Sequence, residues 1–179
     1  MSSDRQVSLD DPGCLAINKM LANVWTRANH DVSLDMARAL WRYSGVDPEA
    51  DASATVSGPA VRPVRLLYTT RHSKRVFSDE LDARIIALLS SVPQVELVIA
   101  DFSGFSFVEQ VQRISRADIL FGLHGSGLTH LFWLPPNATV VEIMPENTLA
   151  LDYRLFAGMR GLSYVCTWHR LCVGARCIR

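Results

Sequence analysis

From Val64 onward, short apolar runs alternate with stretches of helical spacing. The runs cover residues 64–70, 95–100, 118–123, 139–144 and 163–168. Helical patterns fill the intervals at 79–91, 106–116, 127–134 and 149–158. Runs that are apolar at nearly every position, not at every second one, predict strands covered on both faces. Helices between such strands predict parallel pairing with right-handed crossovers. The expected fold is α/β, a Rossmann-like parallel sheet with flanking helices.

Upstream the rhythm differs. Residues 1–12 are polar, and residues 13–30 carry apolar positions at Leu15, Ile17, Met20, Leu21, Val24 and Trp25 in a helical pattern. Ser33 is placed to cap a second helix, with Leu34, Ala37, Leu40 and Trp41 on one face and Gly45 at its end. Pro48, Gly58, Pro59 and Pro63 mark residues 47–63 as a linker. The expected organisation is a helical segment over 1–46, the linker, and a ligand-binding domain over 64–179.

The chemistry concentrates in His124-Gly125-Ser126-Gly127-Leu128-Thr129-His130. It follows the third apolar run and opens a helical pattern. Strand, glycines, then helix start is a geometry that holds a phosphate. The first amides of a helix have no internal partner, and its dipole favours negative charge there. Glycines let a ligand approach the backbone closely. The expected ligand is a nucleotide or another phosphorylated molecule at the carboxyl end of the sheet.

Four features extend that site. His124, at the end of the third strand, either donates to a phosphate or sugar hydroxyl or bonds a loop carbonyl; its fusion to the glycines favours the ligand. His130 lies a turn further on, where packing alone would explain it. Arg71 and Arg75 follow the first strand; they suit a diphosphate, and equally a solvated basic loop. Glu142 lies inside the apolar run at 139–144 and must find a donor there. A ribose diol, an arginine or backbone amides would serve, and ligand contact is the preferred reading.

Other chemistries fit less well. A nucleophile elbow around Ser126 would need glycines where His124 and Leu128 stand. A dinucleotide fingerprint starting at Gly125 would end on His130. Cys14, Cys166, Cys172 and Cys177 lack metal-site spacing; a disulfide among the last three and unpaired thiols are both compatible with it. The sequon at Asn137 follows two prolines in a tight turn, a poor acceptor.

Composition adds mostly exclusions. The formal net charge is zero, which gives no long-range attraction to nucleic acid or membrane. No apolar stretch reaches the roughly 18 residues of a membrane span. The first residues lack the basic-then-apolar order of a signal peptide. Only Lys19 and Lys74 are lysines among 18 basic residues, a bias that suits base composition better than ligand chemistry.

Taken together the residues resemble glycosyltransferase family 61. The carrying positions are Phe107-Val108-Glu109-Gln110-Val111, then Ala117 through His130, with Pro135, Val141-Glu142, Tyr153, Tyr164-Val165 and Trp168. The resemblance spans about residues 64–168 and is most specific in the His-Gly-x-Gly-Leu-Thr-His block. Ser126 stands where the family usually has alanine, and Asp79 where it has asparagine.

The resemblance implies the carboxyl-terminal donor lobe of a GT-B transferase. It implies inverting transfer from a UDP-sugar donor to a hydroxyl of a protein or glycan acceptor, in the endoplasmic reticulum or Golgi lumen. On that reading Arg71, Arg75, His124 and the backbone of Gly125, Ser126, Gly127 and Thr129 bind the donor diphosphate, and Glu142 holds the ribose. No Asp-x-Asp signature appears, so no metal and no cofactor are expected. The general base is not identified and is expected in the other lobe or across the cleft. The competing reading is a nucleotide-binding module without catalysis, or a truncated part of such a transferase.

Overall fold

A computed structural model describes residues 27–49, 62–70, 77–145, 152–169, 172–173 and 176–177. Five strands form one parallel sheet: β1 (Val64–Thr69), β2 (Val95–Ala100), β3 (Ile119–Leu123), β4 (Thr139–Pro145) and β5 (Ser163–His169). Their order is β2-β1-β3-β4-β5. Leu66 faces Leu97 on one side and Ile119 on the other, and Ile119 in turn faces Thr139. A two-stranded antiparallel ladder, β6 (Cys172–Val173) with β7 (Arg176–Cys177), follows. Cys166 forms no disulfide.

Alternation along each strand builds two cores. Leu67, Leu120 and Val140 pack with Ile114, Leu128, Leu131, Leu134, Tyr153 and Ala157. Leu66, Tyr68, Leu123 and Ile143 pack against Leu81, Ile85, Ile86 and Leu89. The second set comes from α2 (Asp79–Ser90), which follows β1. The first core takes α3 (Phe107–Ile114), α4 (Asp152–Arg160) and a 3₁₀ helix over Ser126–Trp133. Helices thus cover both faces of the sheet, as strands of this composition require.

Local signals set the ends of these helices. Ser78 accepts from the Leu81 amide, and three acids occupy the first turn of α2. Ser106 and Glu109 form a reciprocal capping box on α3. Helix α1 (Arg27–Tyr43) stops in a Schellman motif. There the Gly45 amide donates to Arg42 O at 3.2 Å, the Val46 amide to Trp41 O at 2.9 Å, and Gly45 has φ +70°.

Three expectations need correction. Ser33 does not cap a helix but lies inside α1, with its hydroxyl donating to His30 O and, at 2.7 Å, to Met159 O. A serine that bonds the carbonyl three residues back leaves the helix unbroken, and here it also ties α1 to α4. The segment after the glycines is a 3₁₀ helix, unusually long for that class. Its carbonyl end is held from outside: Trp41 Nε1 donates to Trp133 O, and the buried Arg160 donates to Phe132 O and Leu134 O. The last predicted helix lies at Asp152–Arg160; residues 149–151 fall outside the described residues, as do the pattern at 13–26 and most of the linker.

Gly122 is where the sheet has least room. It pairs with Thr69 across β1 and β3, and an added Cβ would lie 2.5 Å from Thr69 Cγ2. Threonine has few rotamers to move into. Gly122→Ala is expected to lower unfolding stability by about 1–3 kcal/mol, the usual penalty of overpacking a core. Urea unfolding monitored by tryptophan fluorescence measures it; an unchanged midpoint would show that β1 and β3 can move apart.

Candidate functional site

From β1 the chain goes outward to β2, then returns to the other side of β1 as β3. The strand order therefore reverses between β1 and β3, the position beyond whose carboxyl ends open α/β sheets bind ligands. The segment after β3 runs against Thr69 at the end of β1. A Cβ on Gly127 would stand 2.6 Å from Thr69 Oγ1. Gly125 has φ 150° and ψ −178°, a combination open in practice only to glycine. Both glycines are thus needed, one for its dihedrals and one for its lack of volume.

In this turn Gly125 is buried and Gly127 half-buried. The Leu128 amide closes onto Gly125 O at 2.9 Å. Among the described residues, the amides of Gly125 and Gly127 have no hydrogen-bond partner. Ser126 and Thr129 are exposed, so the segment is open to solvent along that edge. The Thr129 hydroxyl donates to Ser126 O, which stiffens the first turn.

Beneath the turn lies a buried polar chain. The His124 amide continues the ladder by donating to Ile143 O at 2.8 Å. Its Nδ1 donates to Glu142 Oε1 at 2.5 Å, and the Tyr164 hydroxyl donates to the other carboxylate oxygen. Glu142 is 0% exposed and His124 6%. Burial raises the Glu142 pKa, against the opposing pull of Tyr164 and His124. Tyr164 itself is driven upward by burial and by the Glu142 charge, so it stays a donor. Tyr153 meets the His124 ring edge-on at 5.4 Å.

With Nδ1 engaged, the working end of His124 is Nε2, which has no partner among the described residues. A histidine held this way keeps one tautomer and one orientation. Its far nitrogen then faces the ligand side, accepting from a hydroxyl when the ring is neutral and donating to an anionic oxygen when the ring is an imidazolium.

His124, Gly125, Ser126, Gly127 and Thr129 come together on one turn, with Glu142 directly under it. Glu142 bonds both its oxygens inside the protein, to His124 and Tyr164. Arg71 and Arg75 fall outside the described residues. Tyr164 and Thr69 carried no role in the sequence reading. Tyr164 was within reach of it: a buried glutamate needs donors, and Val140 pairs with Tyr164 one step along the same face. Thr69 gave no signal, because its importance lies in the backbone that passes over it.

The family model for Glycosyltransferase 61 matches residues 22–141. The chain belongs to this family. The match reaches upstream through α1, further than the region that carried the resemblance, and ends one residue before Glu142. An EGF domain-specific O-linked N-acetylglucosamine transferase of Xenopus laevis is 33% identical over 112 residues, covering 62% of this chain and 20% of that protein. Its counterpart in Mus musculus is 32% identical over 123 residues, or 65% and 22%. An alpha-1,3-arabinosyltransferase of Oryza sativa subsp. japonica is 32% identical over 146 residues, or 78% and 24%. The chain spans at most about a quarter of the length of these relatives. Among the described residues no group of three His, Cys, Asp or Glu could hold a metal ion, and no helix is long and apolar enough to cross a membrane.

The buried carboxylate makes a pH signature. A raised pKa means that the folded chain binds more protons than the unfolded one just above the ordinary glutamate value of 4.5. Stability from this group therefore falls as pH rises from 4.5 through the folded pKa. Glu142→Gln removes the titration. The stability of the parent relative to Glu142→Gln is expected to decrease over that interval, as followed by thermal melts at each pH. A difference that stays flat with pH would mean that Glu142 titrates normally.

Proposed function

We propose that this chain forms the donor-binding half of a GT-B glycosyltransferase that takes a UDP-sugar and transfers the sugar with inversion to a hydroxyl. The observation that carries this reading is the pair of unpartnered amides at Gly125 and Gly127, with Gly127 lying against Thr69 at the topological switch point of the sheet. A diphosphate is the ligand such amides suit, since they offer fixed donors and the positive end of a helical segment. Family membership supports sugar transfer as the reaction.

In the proposed mechanism a base outside this chain takes the proton of the acceptor hydroxyl. The resulting oxygen attacks the anomeric carbon, the bond to the diphosphate breaks, and its electron pair moves onto the leaving β-phosphate oxygen. The two glycine amides donate to the diphosphate as that charge grows, and His124 Nε2 joins them as an imidazolium whose charge the Glu142 carboxylate balances. Glu142 and Tyr164 act through His124, fixing its direction and supplying that counter-charge. Arg71 and Arg75, following β1, supply further cations. The diphosphate charge is met by these groups without a metal. The acceptor is a protein or glycan hydroxyl, in keeping with the names of the relatives, and the work site is the lumen of the endoplasmic reticulum or Golgi.

A second reading has a specific observation behind it. Because the chain spans at most about a quarter of its relatives' length, it could bind a nucleotide without completing transfer by itself. Both readings require donor binding, and they part on whether hydrolysis or transfer of a UDP-sugar follows.

Titration calorimetry with UDP tests the shared step. Binding is expected for the parent chain. His124→Ala should weaken it about 10- to 100-fold, the value of one hydrogen bond to a charged group. Gly127→Val should abolish it, since its side chain would meet Thr69. Absence of heat from UDP with the folded parent chain would remove both readings.

A further inference from the structure

His130 has a hydrogen-bonding problem that a neutral imidazole cannot solve. Its Nδ1 lies 2.8 Å from the carbonyl oxygen of Gly127, and its Nε2 lies 2.9 Å from Gln110 Oε1. Both partners are acceptors. The identity of the Gln110 oxygen follows from its other end, where Nε2 donates to Phe102 O at 3.1 Å and Phe105 O at 2.9 Å. Turning that amide over would set its oxygen against two carbonyls. A neutral ring carries one N–H, so one of its two contacts is lone pair against lone pair. An imidazolium donates to both.

The surroundings hold the ring near that choice. Phe102 stacks on it, with centroids 3.9 Å apart and planes 18° from parallel. Burial pulls it toward the neutral form, with the Gly127 carbonyl pulling the other way. Charged groups on the elements around it bond elsewhere. Asp101 accepts from the Ser103 amide, Glu109 accepts from Ser106, and Arg113 lies over Phe105. Arg160 holds the carbonyls at the far end of the 3₁₀ helix, and His124 is bonded to Glu142. Among the described residues, nothing of either sign bonds the ring directly, so a charge arriving at the turn would decide its state.

We propose that His130 is a positioning residue that takes up a proton from solvent when a nucleoside diphosphate settles on the Gly125 and Gly127 amides. The cation then donates to Gly127 O and Gln110 Oε1 together, clamping the 3₁₀ helix to α3 and adding positive charge behind the phosphates. The coupling presupposes the donor diphosphate at this turn, as proposed above. Linkage makes it reciprocal: diphosphate raises the affinity of the ring for its proton, and the proton raises the affinity for diphosphate by the same factor.

The test is the titration of the His130 ring carbon signals by NMR, with and without saturating UDP. The midpoint is expected to rise by about one pH unit with UDP, which corresponds to roughly tenfold tighter binding to the protonated form. A second measurement uses His130→Gln. The ratio of parent to variant UDP affinity should grow several-fold between pH 8 and pH 6, and taking the ratio cancels the ionisation of UDP itself. An unmoved midpoint, with the Gly125 and Gly127 amide signals shifted by UDP, would overturn the proton coupling and leave the donor reading standing. If those amide signals do not respond to UDP either, both fall.

Discussion

The central constraint is the passage of one backbone over another at Thr69. Gly122 lies beside this residue within the sheet, and Gly127 lies above it in the following turn. Neither position has space for a methyl group. Removing that space would push β1 from β3 or lift the turn from the sheet. The amides of Gly125 and Gly127 are left without a partner among the described residues where the chain is held this close to the end of β1.

A second layer of order fixes the side chain next to that turn. Glu142 could not remain buried alone, and its two oxygens are met by His124 and Tyr164, drawn from β4's neighbours on either side. One strand thus supplies the carboxylate, another the tyrosine, and the end of a third the histidine. In parallel sheets such residues reach one another only through register, and here Glu142 pairs with Gly122, whose side-chain space is taken by Thr69. The polar chain and the tight crossing share that glycine.

The 3₁₀ helix joins the site to the rest of the fold. Its amide end forms the turn, and its carbonyl end is held by Trp41 from α1 and Arg160 from α4. A helix of this type has poorer internal hydrogen bonds than an α-helix, so outside donors matter more to it. The match to the family model begins before α1, in keeping with α1 packing as part of this unit and not as an appendage.

The five strands and the helix order were readable from the chain itself. Apolar runs at Val64, Val95, Ile119, Thr139 and Ser163 are local features, and a run covered on both faces declares itself by composition. The turn at 124–130 was readable for the same reason, since glycines beside a strand end constrain only their own neighbourhood. Tertiary structure alone decided the partners of Glu142, the continuation of α1 through Ser33 and the choice of 3₁₀ over α geometry after Gly125. Each of these depends on groups far away in sequence: Tyr164, Met159, Trp41 and Arg160. A hydrogen bond across the fold leaves no periodicity in the chain, so it could be known to be needed but not where it would come from.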